Sequence, residues 1–144
     1  CRNMKGIVCL DDRNGVSFNK RRQSRDRVVI QDIITLTKGH GLYVKPYSME
    51  LFCDCEEKTA DIHITEDFFK ENINPKDFIF AEREDAVSIL EKVEQWVVYR
   101  WNKIYPSDVK FRMPEGYECM ESLDFTGNSH EKITRETYQK KKEL

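Results

Sequence analysis

The sequence has no hydrophobic run of about 18 residues, the length that a membrane-spanning helix requires. It also has no charged segment leading into an apolar stretch, the pattern that marks a secretory leader. No internal repeat is present, and no linker is long enough to separate two domains. These absences favour a soluble cytoplasmic protein with a single domain over residues 4–144. Residues 1–3, which precede Met4, are interpreted as a leftover of processing or cloning.

The five cysteines do not form the pattern of a disulfide framework. Their number is odd and their positions are scattered, at Cys1, Cys9, Cys53, Cys55 and Cys119. Cys9 lies inside an apolar run, which fits a reduced thiol better than a bridge. Cys53 and Cys55 are separated by one residue, and even with His63 they match the usual zinc spacing poorly. The sequence therefore predicts reduced thiols and no metal site.

Charge is abundant but unevenly distributed. Charged residues make up 35% of the chain and hydrophobic residues 39%, while 8 Phe, 6 Tyr and 2 Trp supply the bulky groups that a folded core needs. The net charge is −2, yet residues 20–27 contain five cations and one acid and carry +4, which leaves −6 on the remainder. A basic segment on an acidic chain indicates a site for an anionic ligand.

The first part of the chain alternates between strand and helix patterns. Residues 7–10 form a continuous apolar run typical of a strand buried on both faces, and Asn14-Gly15 is a turn signal. Ser24 is a suitable N-cap for a helix that carries Asp26 in its first turn and ends near Gly39. Apolar residues at helical spacing make this the best-defined helix of the sequence.

The remaining elements are predicted from shorter patterns. Strands are expected at 41–45, 60–64, 78–80, 96–101, 117–125 and 133–138, and helices at 48–52, after Thr65 and at 84–93. Strands and helices alternate at first, and strands alone follow, which predicts an α/β fold. The expected architecture is a mixed, mostly parallel central sheet flanked by helices, with antiparallel C-terminal strands.

The order of these elements and several short segments together resemble the dihydrofolate reductase family. Residues 4–11 with Asn14-Gly15 are similar to that family's first strand and to the start of its mobile active-site loop. Asp26 falls where the family carries the acidic residue that binds the pterin ring, and residues 37–40 are similar to the link that follows the helix. The family's closing antiparallel strands resemble residues 105–108, Phe111 and residues 117–138. The resemblance covers most of the chain and implies a dihydrofolate reductase-like fold.

The same resemblance predicts a damaged cofactor site. Where the family has a Gly-Arg pair that opens a helix onto the cofactor phosphates, residues 45–48 read Lys-Pro-Tyr-Ser, and proline has no amide hydrogen to donate. Where the family has Gly-Gly against the pyrophosphate, this chain has Ala81-Glu82, and a carboxylate there would repel phosphate. Residues 20–23 replace the family's Pro-Trp region, and Arg27 stands at a usually apolar position. We therefore predict a divergent relative without dihydrofolate reductase activity; its cofactor is unassigned, and NADPH is disfavoured.

The predicted site is centred on Asp26, the one candidate catalytic residue, because a partly buried carboxylate can hold a ring amine and tune its protonation. Asp26 could instead be a helix-dipole acid paired with Arg22 or Arg25. The candidate ligand-binding residues are Val8, Cys9, Asn19, Arg22, Arg25, Arg27, Ile30 and Tyr99. Tyr99 is also typical of a core residue on a central strand.

Three functions remain open from the sequence. The leading one is binding of a small anionic or nucleotide-like ligand in a cleft near Asp26. The first alternative is an NAD(P)H-dependent reductase of a pterin or related heterocycle, which is the class that the chain would have as an enzyme. The second is a nucleic-acid or protein interaction domain that uses residues 20–27, although this segment has no interleaved aromatic residues, which disfavours nucleic acid. Nucleophilic catalysis has no support, because His40 and His130 have no cysteine or serine at a recognisable spacing.

Overall fold

The computed structural model describes residues 4–18, 21–22, 26–53, 61–66, 76–82, 93–105, 107–111, 116–128 and 130–140. Within these residues the strands are β1 (Met4–Leu10), β2 (Gly15–Phe18), β3 (Arg21–Arg22), β4 (Gly41–Val44), β5 (Asp61–Ile64), β6 (Phe78–Phe80), β7 (Val93–Arg100), β8 (Val109–Lys110), β9 (Tyr117–Phe125) and β10 (Ile133–Lys140). The helices of the same part of the chain are α1 (Arg27–Leu36) and α2 (Pro46–Cys53). Neither of these helices has the length and apolar character that crossing a membrane demands.

Seven strands form one sheet in the order β5-β4-β6-β1-β7-β10-β9. The pairings from β5 to β7 are all parallel, whereas β10 runs antiparallel to both β7 and β9. The expected mixed sheet, mostly parallel with antiparallel C-terminal strands, is confirmed. The carboxyl ends of β1, β4, β6 and β7 therefore lie along one edge, where open α/β sheets bind their ligands.

A second, small sheet that the sequence did not predict joins β3, β2 and β8 in that order. The Asn14-Gly15 turn leads directly into β2, because Asn14 adopts a left-handed φ of 61° and Gly15 then pairs with Lys110. On the other side of β2, Ser17 pairs with Arg22. The start of the basic segment is therefore held in a strand beside the turn that follows β1.

Helix α1 begins two residues later than the sequence predicted. Asp26, rather than Ser24, is the N-cap: its backbone is extended, and its Oδ1 accepts a hydrogen bond from the Val28 amide. The prediction of a Ser24 cap with Asp26 in the first turn is therefore wrong, and Ser24 itself lies outside the described residues. Because Ser and Asp cap helices about equally well, local preference could not decide between them.

The two faces of the seven-stranded sheet are covered by different apolar clusters. The α1 cluster comprises Ile7, Val29, Ile30, Ile33, Ile34, Leu42, Val44, Phe52, Phe78, Phe80, Val97, Tyr99, Trp101 and Ile133. The Trp96 cluster comprises Val8, Leu10, Val16, Ile79, Ala81, Val93, Trp96, Val98 and Phe111. Successive side chains of β1, β6 and β7 alternate between the two clusters, as the pleat of a strand requires. Gly6 is needed in β1 because a Cβ there would lie 2.5 Å from the Trp96 ring.

The other predicted elements differ from the structure mainly at their ends. Strand β7 begins at Val93, so the predicted 84–93 helix does not extend to that residue. Helix α2 begins at Pro46 instead of Ser48, because proline fits the first turn of a helix, where its missing N–H has no helical acceptor. The body of the 84–93 helix and the helix expected after Thr65 lie outside the described residues.

Candidate active site at Asp26 and His130

Asp26 is buried at the N-terminus of α1, with 3% of its surface exposed. Its Oδ1 accepts hydrogen bonds from the backbone amides of Val28, at 2.9 Å, and Asn128, at 2.8 Å. Its Oδ2 lies 2.9 Å from Nδ1 of His130. Each oxygen of the carboxylate therefore has a partner within the chain, and these partners come from α1 and from the loop between β9 and β10.

His130 is the buried partner of Asp26, with 5% of its surface exposed. Its ring stacks on Trp101, with 4.7 Å between the ring centroids and 25° between the planes. Nε2 lies 3.0 Å from the hydroxyl oxygen of Tyr105. The imidazole is thus held by a carboxylate at one nitrogen, by a phenol at the other, and by an indole against its face. Hydrogen bonding and proton transfer are the chemistry that such a set of groups offers.

The loop between β9 and β10 is folded closely onto the Asp26 carboxylate. The Gly127 amide donates a 3.0 Å hydrogen bond to the His130 carbonyl, which closes a turn beside that carboxylate. A Cβ on Gly127 would lie 2.7 Å from Asp26 Oδ2, closer than side chains normally approach. Glycine is required here because no space remains for a side chain.

A second buried carboxylate, Asp11, fixes the segment that carries Tyr105. Its Oδ1 accepts hydrogen bonds from the amides of Arg13, at 2.9 Å, and Gly15, at 2.7 Å, which is typical of a turn closed by an aspartate side chain. Its Oδ2 accepts a 3.0 Å bond from the Tyr105 amide. The turn after β1 therefore determines where the backbone of Tyr105 lies.

Tyr99, a predicted ligand-binding residue, is fully buried in the α1 cluster. Its hydroxyl donates a 2.6 Å hydrogen bond to Asp32 of α1, and the same carboxylate oxygen accepts a 2.7 Å bond from Arg135 of β10. Burial raises the pKa of the Tyr99 phenol well above its usual value, and the charge of Asp32 raises it further. In this structure Tyr99 is a neutral core residue that connects β7 to α1.

The other apolar site predictions lie on two different faces of the sheet. Ile30 is part of the α1 cluster, and Cys9, which is partly buried, packs against this cluster. Val8 belongs to the Trp96 cluster on the opposite face. The structure therefore brings Cys9, Ile30 and Tyr99 to the face that α1 covers, and it directs Val8 away from that helix.

Two of the four predicted polar ligand-binding residues, Arg22 and Arg27, are among the described residues. Arg27 is the first residue of α1 and is exposed directly beside the buried Asp26. Arg22 lies in β3. Asn19 and Arg25 lie outside the described residues. The structure pairs Asp26 with His130, which was not among the site residues predicted from the sequence.

The start of α2 holds a carboxylate of the chain itself. Glu82 lies two residues after the end of β6, and its Oε2 accepts a 2.8 Å hydrogen bond from the buried Ser48 hydroxyl in the first turn of α2. The side chain of Lys45, just before Pro46, donates to the Glu66 carbonyl. Helix N-termini attract anions, and here a carboxylate of the chain lies close to one.

His130 is the site residue that sequence reasoning missed. The prediction recognised β9 and β10 as antiparallel partners, so residues 126–132 had to connect them. Gly127-Asn128 is a turn pair in that connection, with His130 two positions later. Nothing local in the sequence indicates that this loop packs on the N-terminus of α1.

Among the described residues, no three His, Cys, Asp or Glu side chains are grouped as metal ligands.

Comparison with known proteins gives a result for the fold. No protein-family profile matches the sequence, and no curated protein matches it significantly. Among solved structures, the dihydrofolate reductase from Enterococcus faecalis, in complex with NADP(H) and RAB-propyl, matches over 97% of this chain and 97% of its own, with a TM-score of 0.67 and 8% sequence identity. A match at this identity shows the fold alone. The chain therefore has a divergent dihydrofolate reductase-like fold, as the order of its elements and several short segments predicted.

Proposed function

We propose that the protein has no dihydrofolate reductase activity and binds a small anionic or nucleotide-like ligand near Asp26. The observation that carries this proposal is the closure of the Asp26 carboxylate by His130 and the loop between β9 and β10. The proposal takes Asp26 as the counterpart of the acidic residue that binds the pterin ring in the reductase family. In the part of the chain that the structure describes, the same carboxylate already has Val28, Asn128 and His130 as hydrogen-bond partners.

Binding a pterin at Asp26 would require the ligand to displace an internal partner. Oδ1 accepts two backbone amides, and Oδ2 faces the imidazole of His130. A hydrogen bond to a charged group contributes about 1.5–3 kcal/mol, and His130 would lose this partner inside the protein. This opposing free energy disfavours the binding mode that the family uses.

The surroundings of α2 support the absence of a nicotinamide cofactor. A helix N-terminus can hold a phosphate through its free amides, but Pro46 has no amide hydrogen. The Glu82 carboxylate accepts a hydrogen bond from Ser48 in this first turn. The negative charge of Glu82 would repel a phosphate group at the start of α2, so a phosphate group would have to displace Glu82.

A positive charge beside Asp26 favours an anionic ligand. Arg27 is exposed at the start of α1, next to the buried carboxylate, and residues 20–27 carry +4 on a chain whose remainder carries −6. Exposed arginine binds carboxylate and phosphate groups through paired hydrogen bonds. The carboxyl ends of the parallel strands form the edge at which ligands of open α/β sheets bind.

Two measurements test the proposed loss of reductase activity. NADPH at about a hundred times its dissociation constant would stabilise a binding protein by about 2.7 kcal/mol, so a 10 µM site would show a clear rise in melting temperature at roughly 1 mM. We expect no rise, and no oxidation of NADPH in the presence of dihydrofolate, with an active dihydrofolate reductase as the positive control. A rise in melting temperature or dihydrofolate-dependent oxidation would contradict this part of the proposal.

A second experiment tests the anionic ligand. Inorganic phosphate, AMP and folate are added separately, and the melting temperature is compared among the wild type, Arg27→Ala and Lys38→Ala. Lys38 is the matched control, because it is also exposed but lies beyond the other end of α1. We expect at least one probe to stabilise the wild type and Lys38→Ala equally, and to stabilise Arg27→Ala less. Equal stabilisation of all three proteins, or none by any probe, would contradict a ligand site beside Asp26.

A further inference from the structure

We infer that Asp26, His130 and Tyr105 form a proton relay that activates the Tyr105 hydroxyl toward a bound ligand. The inference rests on the proposed function for the identity of the ligand, but not for the reactivity of the phenol. The three groups come from α1, from the loop between β9 and β10 and from the segment after β7, and the structure brings them into one hydrogen-bonded row.

The direction of each hydrogen bond among Asp26, His130 and Tyr105 follows from which groups can donate and which can accept. An ionised carboxylate only accepts hydrogen bonds, so Nδ1 of His130 carries a proton and donates to Asp26. In the neutral imidazole the other nitrogen, Nε2, is then an acceptor, and the Tyr105 hydroxyl 3.0 Å away is its donor. Asp26 thus fixes the tautomer that leaves His130 able to take the phenol proton.

The burial of the three groups increases toward Asp26. Asp26 and His130 are buried, whereas Tyr105 is only half-buried. Tyr105 is therefore the only one of the three residues that is not buried. Burial also strengthens the interaction between the Asp26 carboxylate and an imidazolium, because the local dielectric constant is lower than that of water.

Each member of the row is held in place by a further contact. Trp101 stacks on the His130 ring, and the Gly127 amide donates to the His130 carbonyl. The Tyr105 amide donates to the buried Asp11. Fixed groups of this kind avoid reorganisation when a proton moves, which is the condition for efficient acid–base chemistry.

The proton transfers balance. The Tyr105 proton moves to Nε2 of His130, which gives an imidazolium beside the Asp26 carboxylate and a phenolate at Tyr105. The phenolate then takes a proton from an N–H or O–H group of the ligand, so the phenol is restored, the ligand becomes an anion, and His130 keeps the transferred proton. Arg27, exposed at the start of α1, supplies a positive charge for that anion. The matching ligand is a small heterocycle or acid with an ionisable N–H or O–H group.

The experiment measures the reactivity of the phenol without any ligand. N-acetylimidazole acetylates tyrosine: the phenol oxygen bonds to the acetyl carbon, and the bond from that carbon to the imidazole nitrogen of the reagent breaks. The phenol proton passes to His130, which then gives a proton to the departing imidazole. Tyr117 is the internal comparison, because it is also half-buried but its hydroxyl donates to the Val93 carbonyl, which cannot take a proton. We expect Tyr105 to react at least about tenfold faster than Tyr117, as peptide mass spectrometry would measure.

Variants separate the relay from a structural role. His130→Gln can still hydrogen-bond the phenol but cannot accept its proton, so we expect the two tyrosines to react at similar rates. His40→Gln removes an imidazole outside this row and should leave the ratio unchanged. Similar rates in the wild type, or a ratio that survives in His130→Gln, would overturn the relay.

A measurement on the unmodified protein covers the case in which His130→Gln does not fold. Nitrogen-15 NMR should show neutral His130 with its proton on Nδ1, and a proton on Nε2 would overturn the inference. If none of the small-anion probes binds but Tyr105 shows this reactivity, the proposed ligand is wrong and the relay stands.

Discussion

Replacing Gly127 by alanine tests whether the loop between β9 and β10 is packed on the Asp26 carboxylate. The new Cβ would lie 2.7 Å from Asp26 Oδ2 and 3.0 Å from both the His130 carbonyl oxygen and a side-chain carbon of Ile133. None of these atoms moves easily. The amides of Val28 and Asn128 hold the carboxylate, and the His130 carbonyl is part of the turn that Gly127 closes.

The expected cost follows from these contacts. Forcing a methyl group into a packed site costs about 1–3 kcal/mol. Shifting the loop also weakens the contact between His130 and Asp26, and a hydrogen bond to a charged group contributes about 1.5–3 kcal/mol. Because the shift relieves part of the overlap, the two costs do not add fully. We expect a loss of about 3 kcal/mol in the free energy of unfolding, or a fall of about 10 °C in melting temperature.

Urea unfolding of the wild type, Gly127→Ala and Gly116→Ala measures this cost. Gly116 is a useful control because a Cβ there meets no atom within 4 Å, while its φ of 97° is unfavourable for alanine. Gly116→Ala should therefore lose only the backbone term of about 1 kcal/mol. If Gly127→Ala loses no more than Gly116→Ala, the close packing of the loop on Asp26 is wrong.

Two further predictions concern the sheet. The pKa of Tyr99 is raised in the folded state. Its contribution to the stability of the protein is therefore fully present below the unfolded pKa of about 10 and is lost as the pH rises from there toward the folded pKa. Tyr99→Phe should therefore be less stable than the wild type near pH 7, because Asp32 loses one hydrogen bond, but should lose less stability between pH 9 and pH 11; an unchanged alkaline slope in urea unfolding would argue against the raised pKa. Gly6→Ala should lose about 2–3 kcal/mol, because its Cβ would meet the buried Trp96 ring at 2.5 Å, and a wild-type urea midpoint would contradict this packing.

The sequence predicts most of the fold because its periodic segments are long. Residues 27–36 carry apolar side chains at helical spacing, and the runs at 7–10 and 96–101 are apolar enough to lie in the centre of a sheet. The small sheet of β2, β3 and β8 was not predicted, since two of its strands contain two residues each and have no period to read. The predicted ends of other strands differ from the observed ends for a similar reason, because one or two terminal residues do not show a period.

The candidate site is only half predicted from the sequence. Asp26 was identified because it belongs to a local helix-start pattern and to a family resemblance. Its partners were not, because a carboxylate beside several arginines is expected to pair with one of them. The actual neighbour, His130, is brought to Asp26 by the order β7-β10-β9 in the sheet, and a pattern of nearby residues contains no information about that order.

The contact between Asp26 and His130 also bears on folding kinetics. These residues are 104 positions apart, so their hydrogen bond closes one of the longest loops in the chain. Closing such a loop is entropically costly until β7 and β10 have paired, which implies that the contact forms late in folding. Substitutions at Asp26 or Gly127 should then accelerate unfolding and leave the rate of folding almost unchanged. The hydrogen bond between Asp26 and His130, which defines the candidate site, would in that case slow the unfolding of the native state.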